Sequence, residues 1–295
     1  MYADLHCDTL GVCFAKNTDL NSNVLHITKK SLEKFSPSIQ TFAMYIPEKI
    51  QDKFGFFQKM LENSLQIVHN TDNLHLYRQK SDIEYAKKNN KTLAVLSVEG
   101  GNFFGDNTDE NIARVDYLEQ NHICFLSLCY NSGSALIGGV DSIYGATPLG
   151  LRVADLLSSR GISIDVSHLN HLSTADILAT DLLAVATHSN CYTICKHKRN
   201  LTDANIIRLI EKQSLIGLNL YAPFIKITTP AKIADLMAHV QHIISLGGKQ
   251  NIAFGADFDG CDELPCEINS LQDIGVLIEQ FPDTYENVKK YLMKI

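Results

Sequence analysis

The sequence predicts a single-domain (β/α)8 barrel over residues 1–295, and three observations support this fold. The chain has 295 residues, which suits one barrel of about 250 residues with insertions. Eight short apolar runs recur along it, separated by segments with the periodicity and end signals of helices. Strands that alternate with helices form a parallel sheet, and eight such units close it into a barrel.

The eight runs have the composition of strands covered on both faces, because apolar residues follow one another almost without interruption. In chain order the runs occupy residues 2–8, 39–46, 92–98, 123–129, 162–167, 182–187, 214–219 and 252–257. The connection between the second and third runs, residues 47–91, is long. We therefore expect this connection to be enlarged by additional helices.

Helix ends are marked by residues that satisfy the free amide and carbonyl groups there. A threonine hydroxyl caps a first turn, and proline or aspartate suits the position after it. Glycine favours the left-handed conformation in which many helices end, and we expect such ends at Gly161 and Gly247. The predicted starts are Thr147-Pro148, Thr202-Asp203 and Thr229-Pro230, and a last helix is expected over residues 284–294.

Composition and charge argue against several classes of function. The net charge is -7 and no basic stripe is present, so we expect no nucleic acid as a partner. No apolar run approaches the roughly 18 residues of a membrane-spanning helix, and no basic-then-apolar leader opens the sequence. We therefore expect a cytoplasmic protein that binds no membrane. The eight cysteines form no CxxC motif, which is typical of reduced, buried thiols.

Polar side chains stand where the predicted strands end. In a (β/α)8 barrel the carboxyl ends of all strands meet at one rim, where the active site lies. The first run contains Asp4, His6 and Asp8 at every second position, and therefore on one face of a strand. Each polar residue alone could be structural, because a lone histidine in an apolar stretch is usually satisfied by its neighbours. Four later runs end in Glu99, His168, His188 and Asp257.

Together these residues predict a binuclear zinc site. Buried imidazoles and carboxylates are costly unless something pairs with them, and nitrogen and oxygen ligands suit Zn2+. The charges also match, because the carboxylates of Asp8, Glu99 and Asp257 and one shared hydroxide balance two divalent ions. Ions of this strength lower the pKa of a shared water towards about 7, so that it can attack a substrate at neutral pH.

The bridging ligand is expected to be a plain carboxylate. Many metal-dependent barrel hydrolases carry His-x-His on the first strand and a bridging, CO2-modified lysine on the fourth. Here the first strand reads His-x-Asp, at His6 and Asp8, and the segment ICFLSLCYN contains no lysine. Glu99 is therefore the best candidate for the bridge.

Six segments carry a family resemblance. They are DLHCDTL, SVEGG, IDVSHLN, THSNC, HKRNLTD and GADFDG, and they span residues 4–260. Their order and content resemble those of the membrane (renal) dipeptidases within the amidohydrolase superfamily. The resemblance implies a zinc-dependent dipeptidase that tolerates a D-residue at the C-terminal position of its substrate.

The resemblance also implies a role for each matching residue. Asp257 would act as the acid/base residue, which receives a proton from the attacking hydroxide and passes it to the leaving amine. The implied metal ligands are His6 and Asp8 for one zinc ion, His168 and His188 for the other, and Glu99 as their bridge.

Four further residues are expected to contact the dipeptide. The resemblance implies that Arg199 binds the substrate carboxylate and that Tyr221 lines the pocket. Animal members of the family carry a substrate-contacting histidine after the fourth strand, where this sequence reads LCYN. Tyr130 or Asn131 takes that position here, and a tyrosine hydroxyl can still donate a hydrogen bond to an oxyanion.

Other functions are open at this stage. A related metal-dependent hydrolase could act on N-acyl amino acids or lactams with the same rim residues. A metal-binding or scaffold protein that has lost catalysis is a non-enzymatic alternative, although every expected ligand and Asp257 are present. A barrel without any site would leave five polar strand ends to coincidence. Beyond the dipeptide substrate, a homodimer is an open possibility.

Overall fold

A parallel β-sheet forms the centre of the protein. The computed structural model describes residues 1–228 and 230–295. Within these ranges the sheet contains nine strands: β1 (Tyr2–Asp4), β2 (Ser38–Tyr45), β3 (Leu74–Leu76), β4 (Thr92–Glu99), β5 (Ile123–Leu126), β6 (Ser163–Asp165), β7 (Ala184–Val185), β8 (Ile216–Leu218) and β9 (Ile252–Phe254).

Eight of these strands form a barrel. They follow the order β7-β6-β5-β4-β2-β1-β9-β8, and every neighbouring pair is parallel. A parallel bridge between Ala186 and Ile216 joins the two ends of this path, so that the sheet closes. The predicted (β/α)8 fold is confirmed.

Helices surround the barrel and connect its strands. They are α1 (Thr9–Lys16), α2 (Lys29–Phe35), α3 (Lys53–Asn70), α4 (Ser81–Lys88), α5 (Thr108–Gln120), α6 (Pro148–Ser159), α7 (His171–Leu178), α8 (Asp203–Glu211), α9 (Ala222–Ile225), α10 (Ile233–Ser245), α11 (Gly275–Gln280) and α12 (Thr284–Leu292). Among the described helices, none is both long enough and apolar enough to cross a membrane.

Each predicted apolar run overlaps one barrel strand, and six of the eight strands are shorter than their runs. The first run shows why: regular pairing ends at Asp4, and the chain then bends so that residues 5–8 reach the rim of the barrel. The enlarged connection over residues 47–91 holds α3 and α4, as expected, and also β3. Sequence reasoning missed β3, because it has only three residues, which pair with the first three residues of β4.

Two of the three predicted helix starts are confirmed. The hydroxyls of Thr147 and Thr202 cap α6 and α8 by accepting the amide hydrogens of Gly150 and Asn205. The predicted start at Thr229-Pro230 is wrong: Thr229 lies outside the described residues, and α10 begins only at Ile233.

Carboxylates near the start of α10 give a physical reason for this later start. The amide of Lys232 donates to Asp235, and the amide of Ile233 donates to Glu267, at 3.0 and 3.2 Å. The first free amides of α10 therefore find acceptors at this point of the chain. The last helix, α12, lies where residues 284–294 predicted it.

Helix α12 closes the amino-terminal end of the barrel. The Tyr291 hydroxyl lies 2.9 Å from the hydroxyl of Ser163 and 2.8 Å from the carbonyl oxygen of Ala184, at the starts of β6 and β7. Tyr291 and Leu292 pack into a buried apolar cluster with residues of the inner barrel such as Leu93. The amino-terminal end of the barrel is therefore covered by this helix.

Candidate metal centre at the mouth of the barrel

A cavity of about 770 Å³ opens at the carboxyl ends of the strands. It collects nine of the ten residues that the sequence singled out, and the tenth, His6, lies buried beside them. The nine lining residues are Asp8, Glu99, Tyr130, Asn131, His168, His188, Arg199, Tyr221 and Asp257. Residues that are up to 249 positions apart in the sequence thus share one site.

Glu99 stands between two groups of candidate ligands. It is the last residue of β4 and is buried, with only 6% of its surface exposed. Its Oε2 atom lies 3.0 Å from Nε2 of His6, and its Oε1 atom lies 3.0 Å from Nε2 of His168. Each carboxylate oxygen therefore faces a different histidine, which is the arrangement that a bridging ligand requires.

His168 and His188 present unprotonated nitrogens to each other. Their Nε2 atoms lie only 2.9 Å apart, and Nη2 of Arg199 lies 3.0 and 2.7 Å from them. Because a guanidinium group can only donate hydrogen bonds, both Nε2 atoms must act as acceptors. The Nε2 electron pairs of His168 and His188 thus converge on one position, and the guanidinium group of Arg199 lies beside them.

His6 offers a third nitrogen on the other side of Glu99. Its Nε2 atom lies 3.4 Å from Oδ2 of Asp8 and 3.7 Å from Oδ1 of Asp257. This nitrogen is buried and makes no hydrogen bond of acceptable geometry with the residues that the structure describes. Asp8 precedes α1, but its side chain does not cap that helix and lines the cavity instead.

The donor set fits divalent metal ions. One group of potential ligand atoms comes from His6, Asp8 and Asp257, and another from Glu99, His168 and His188; the atoms within each group lie within 4.8 Å of one another. Imidazole nitrogen and carboxylate oxygen are the ligands that zinc and related metals bind. The orphaned nitrogen of His6 and the guanidinium beside His168 and His188 both mark places that favour a cation.

The pKa values of the candidate ligands are shifted by burial and by the charges that surround each of them. Burial and the positive charge of Arg199 lower the pKa of His168, and burial is also the main reason why the pKa of His188 lies well below its usual value. Burial, with the charge of Glu99, raises the pKa of Asp8 to about 7. For His6, burial, which would lower its pKa, is outweighed by the attraction of the nearby carboxylates of Asp8 and Glu99, which raises it. At neutral pH two histidines are thus neutral, the form that binds a metal.

Asp257 is held in position by an asparagine that sequence reasoning missed. Asp257 follows β9 with a φ of 62°, a left-handed conformation that turns its side chain toward the rim. Its Oδ2 atom accepts a hydrogen bond of 3.0 Å from Nδ2 of Asn219. Asn219 in turn exchanges two hydrogen bonds of 3.0 Å with Asn190. The only sequence signal for this pair was a polar residue inside each of the segments THSN and LNLY.

Gly260 allows two carboxylates to approach each other. A Cβ atom at this position would lie 2.1 Å from Oδ2 of Asp8 and 2.4 Å from Oδ1 of Asp257. The loop that carries Gly260 is fixed by Asp259, which accepts hydrogen bonds from the Thr9 hydroxyl at 2.5 Å and the His26 amide at 2.7 Å. The glycine is therefore required by the space that the carboxylates occupy.

Asp4 does not belong to the cluster, although it shares the spacing of His6 and Asp8 in the sequence. Its Oδ1 atom accepts hydrogen bonds from the amides of His6, at 3.0 Å, and Ala256, at 3.1 Å. Asp4 thus ties the first strand to the segment after β9, and both segments lead directly into the site.

The residues expected to contact substrate line the cavity in two groups. Tyr130 stacks on His168 with the ring centroids 4.5 Å apart, and Asn131 Oδ1 lies 3.0 Å from Nδ1 of the same histidine. On the other wall, Tyr221 packs edge-on against Phe224 at 4.8 Å. The contacts of these residues with a substrate stay predictions.

Arg199 has one nitrogen that is free to bind an anion. The residue is buried and packs over the ring of Phe224, with its guanidinium carbon 5.3 Å from the ring centroid. Its Nη1 atom is buried and has no hydrogen-bond partner among the described residues. A buried donor without a partner is costly, so a ligand oxygen at this position would be strongly favoured.

Comparison with known sequences identifies relatives along most of the chain. The sequence model of the membrane dipeptidase family, peptidase family M19, matches residues 1–292. An uncharacterized dipeptidase of Schizosaccharomyces pombe is 24% identical over 286 residues, which cover 89% of this chain and 66% of the yeast protein, just under two thirds of its length. An uncharacterized Klebsiella pneumoniae protein, from the pqqA 5′ region, is 27% identical over 222 residues, which cover 72% of this chain and 81% of that protein.

Two solved structures share the fold over almost the whole chain. Dipeptidase AC, a metallo peptidase of family M19, has a TM-score of 0.88 at 19% identity, covering 99% of this chain and 97% of its own. A Rhodobacter sphaeroides metallo peptidase, liganded with a phosphinate mimic of L-Ala-D-Ala, has a TM-score of 0.84 at 19% identity, covering 99% and 98%. At this identity the likeness establishes the fold.

The space around Gly260 gives a first testable prediction. In Gly260→Ala the added methyl group displaces Asp8 or Asp257, so we expect metal affinity to fall by about 10-fold or more while the fold is kept. Gly275→Ala is the matched control, because a Cβ atom there meets nothing within 4 Å. The measurement is metal content at a fixed free zinc concentration, together with the melting temperature. Equal metal content in both variants would contradict the prediction.

Proposed function

The chain belongs to the membrane dipeptidase family, peptidase family M19, and on this premise we propose that it hydrolyses the peptide bond of dipeptides at a binuclear metal site. The observation that carries the proposal is the position of Glu99, whose two oxygens face His6 on one side and His168 on the other. A metallopeptidase family and a cluster of metal-binding side chains at one rim support the same chemistry.

We assign two zinc ions to the site. His6 and Asp8 would hold one ion, His168 and His188 would hold the other, and Glu99 would be shared by the two. When bound, the ions supply a Lewis acid for the scissile carbonyl group and a water that is acidic enough to attack it at neutral pH. The neutral state of His168 and His188, which follows from the lowered pKa of each, favours this assignment.

Asp257 transfers the proton in this proposal. It lies at the rim, where its Oδ1 atom faces the cluster while Asn219 occupies its Oδ2 atom. The carboxylate accepts a proton from the attacking water and donates it to the leaving amine. The hydrogen bond from Asn219 orients the side chain but leaves Oδ1 free for this task.

The cavity wall binds the two ends of the dipeptide. Arg199 pairs with the C-terminal carboxylate through its free Nη1 atom, which limits the substrate to one residue beyond the cleaved bond. The Tyr130 hydroxyl donates a hydrogen bond to the oxygen that becomes negatively charged, and Tyr221 packs against the substrate side chain. Asn131 takes part by holding His168 in position.

We further propose that a D-residue is tolerated at the C-terminal position. The family membership supports this, and the Rhodobacter sphaeroides relative is liganded with a mimic of L-Ala-D-Ala. The cytoplasmic location and a homodimer stay predictions.

The direct test is hydrolysis of a small panel by the zinc-loaded protein. We expect cleavage of L-Ala-D-Ala and L-Ala-L-Ala, loss of activity after chelation, and recovery when zinc is restored. Tripeptides and N-acetyl amino acids should be poor substrates. Preferential cleavage of the N-acetyl amino acids would favour the alternative metal-dependent amidohydrolase, and no cleavage of any amide would contradict the proposal.

Asp257→Asn isolates the proton transfer. The amide keeps the size and the hydrogen bond geometry of the side chain but cannot accept the proton, so we expect kcat to fall by about 10²–10⁴-fold. Metal content should stay close to that of the wild type. Asp262→Asn, which changes another carboxylate of the cavity wall, is the control. Full activity of Asp257→Asn would remove this residue from the mechanism.

Arg199→Met tests recognition of the substrate carboxylate. Loss of a charge-assisted pair of about 1.5–3 kcal/mol should lower kcat/KM for free dipeptides by about 10–100-fold. Dipeptides with an amidated C-terminus should lose much less. Lys198→Met is the control, because Lys198 also lines the cavity but pairs with Asp141. If free and amidated substrates lose equally, Arg199 does not bind the carboxylate.

A further inference from the structure

We propose that Thr187 is a positioning residue that works with Asp165 to keep His188 in the tautomer whose Nε2 atom faces the metal cluster. The inference rests on the proposed metal site and adds two residues to it. Both are buried, and neither was a candidate from the sequence.

One hydroxyl group connects the residues. Oγ1 of Thr187 lies 2.5 Å from Oδ2 of Asp165 and 2.8 Å from Nδ1 of His188. The same oxygen lies 3.5 Å from Nδ1 of His6. Thr187 thus stands behind two of the three histidines of the cluster, on the side opposite their Nε2 atoms.

The direction of each hydrogen bond follows from the chemistry of the groups. Because an ionised carboxylate only accepts, the single hydroxyl hydrogen of Thr187 goes to Asp165. The hydroxyl oxygen can then only accept from His188, so the imidazole carries its proton on Nδ1 and a free electron pair on Nε2. Arg199 supports this independently, because its Nη2 atom donates to Nε2 of His188 at 2.7 Å.

Asp165 acts through Thr187 rather than as a ligand. It lies close enough to His6 and His188 to complete a three-residue metal group. However, its Oδ1 atom already accepts from the amide and hydroxyl of Ser167, at 3.0 and 2.6 Å, and from the Thr187 amide at 3.0 Å. With Oδ2 taken by the Thr187 hydroxyl, both oxygens are occupied.

The backbone around Thr187 leaves this hydroxyl little freedom. The Thr187 carbonyl oxygen lies against β8 and the segment after β9, where a Cβ atom on Gly217 or Gly255 would come within 1.9 or 1.8 Å of it. Two glycines are therefore needed for the chain to pass so closely. Tight packing of the chain after β7 against β8 and against the segment after β9 therefore fixes the position of the hydroxyl and the orientation of the His188 ring.

His168 has the same arrangement, a hydrogen-bond acceptor at Nδ1 and a donor at Nε2, but with a different acceptor residue. There Nδ1 lies 3.0 Å from Oδ1 of Asn131, and Nε2 accepts a hydrogen bond of 3.0 Å from Arg199. An acceptor behind Nδ1 that fixes the tautomer is a common property of histidines that bind metals, and its loss typically lowers metal affinity by about 10–100-fold. Thr187 gives His188 the equivalent support.

The test compares variants that keep or remove the hydroxyl. Thr187→Val preserves the shape without the hydrogen bond, and we expect zinc affinity to fall by about 10–100-fold. Thr187→Ser should restore it to near the wild-type value. Thr41→Val is the control, because Thr41 is also buried and its hydroxyl has no partner among the described residues.

Asp165→Asn reverses the chain of hydrogen bonds without removing it. The amide nitrogen would donate to the Thr187 hydroxyl, which would then donate to Nδ1 of His188 and shift the proton of the imidazole to Nε2. Nitrogen-15 NMR of the metal-free protein reports this tautomer directly. We expect Nδ1–H at His188 in the wild type and a partial shift to Nε2–H in Asp165→Asn, because Arg199 still favours the Nδ1–H form, with zinc affinity reduced.

Wild-type zinc affinity in Thr187→Val would overturn the inference. Equal losses of zinc affinity in Thr187→Val and Thr187→Ser would also overturn it, because they would show that only the packing of this side chain matters. An Nε2–H tautomer of His188 in the wild type would also overturn it. A wild-type protein that shows the Nδ1–H tautomer but cleaves no dipeptide would refute the proposed function and leave the role of Thr187 supported. If Thr187→Val does not fold, the tautomer in Asp165→Asn decides.

Discussion

The site depends on one electrostatic constraint: electron pairs and negative charges converge where the barrel strands end, and only positive charge can satisfy them together. Nε2 of His168 and Nε2 of His188 lie 2.9 Å apart, and Nη2 of Arg199 lies within hydrogen-bond distance of both. The carboxylate of Glu99 lies 3.0 Å from the ring of His168 and from that of His6. Such a group of buried acceptors repels itself unless a cation lies among them. A pair of divalent ions would satisfy every member at once, and the proposed chemistry follows from their presence.

The barrel fold explains how residues so distant in the sequence come to satisfy this constraint. Helix α12 packs against the amino-terminal end of the barrel, and the residues that follow the strands meet at the opposite rim. Behind the cluster, hydrogen bonds support three of its side chains: Asn219 holds Asp257, Asn131 holds His168, and Thr187 holds His188. The cost of placing charged and polar groups in the interior is offset by this layer and by the proposed ions.

Much of the fold and the location of the site could be predicted from the sequence, because both depend on local patterns. Apolar runs locate parallel strands, and the residues that end them must share one rim, which placed Glu99, His168 and Asp257 together. The supporting residues could not be predicted, because their roles depend on contacts across the barrel. Asn219 acts on Asp257 from 38 positions away, and Gly260 is required by the carboxylates of Asp8 and Asp257. The start of α10 was misplaced for a similar reason, since Glu267, 34 positions later in the chain, helps to fix it.

The most direct test of this account is the number of zinc ions that the folded chain binds. The metal-free protein would be titrated with zinc, and bound metal would be measured per chain by mass spectrometry under native conditions, together with Glu99→Gln. The account predicts two ions in the wild type, and weaker binding of both ions in the variant because Glu99 contacts both groups of ligands. A folded wild-type chain that retains one ion or none in excess zinc would contradict the account.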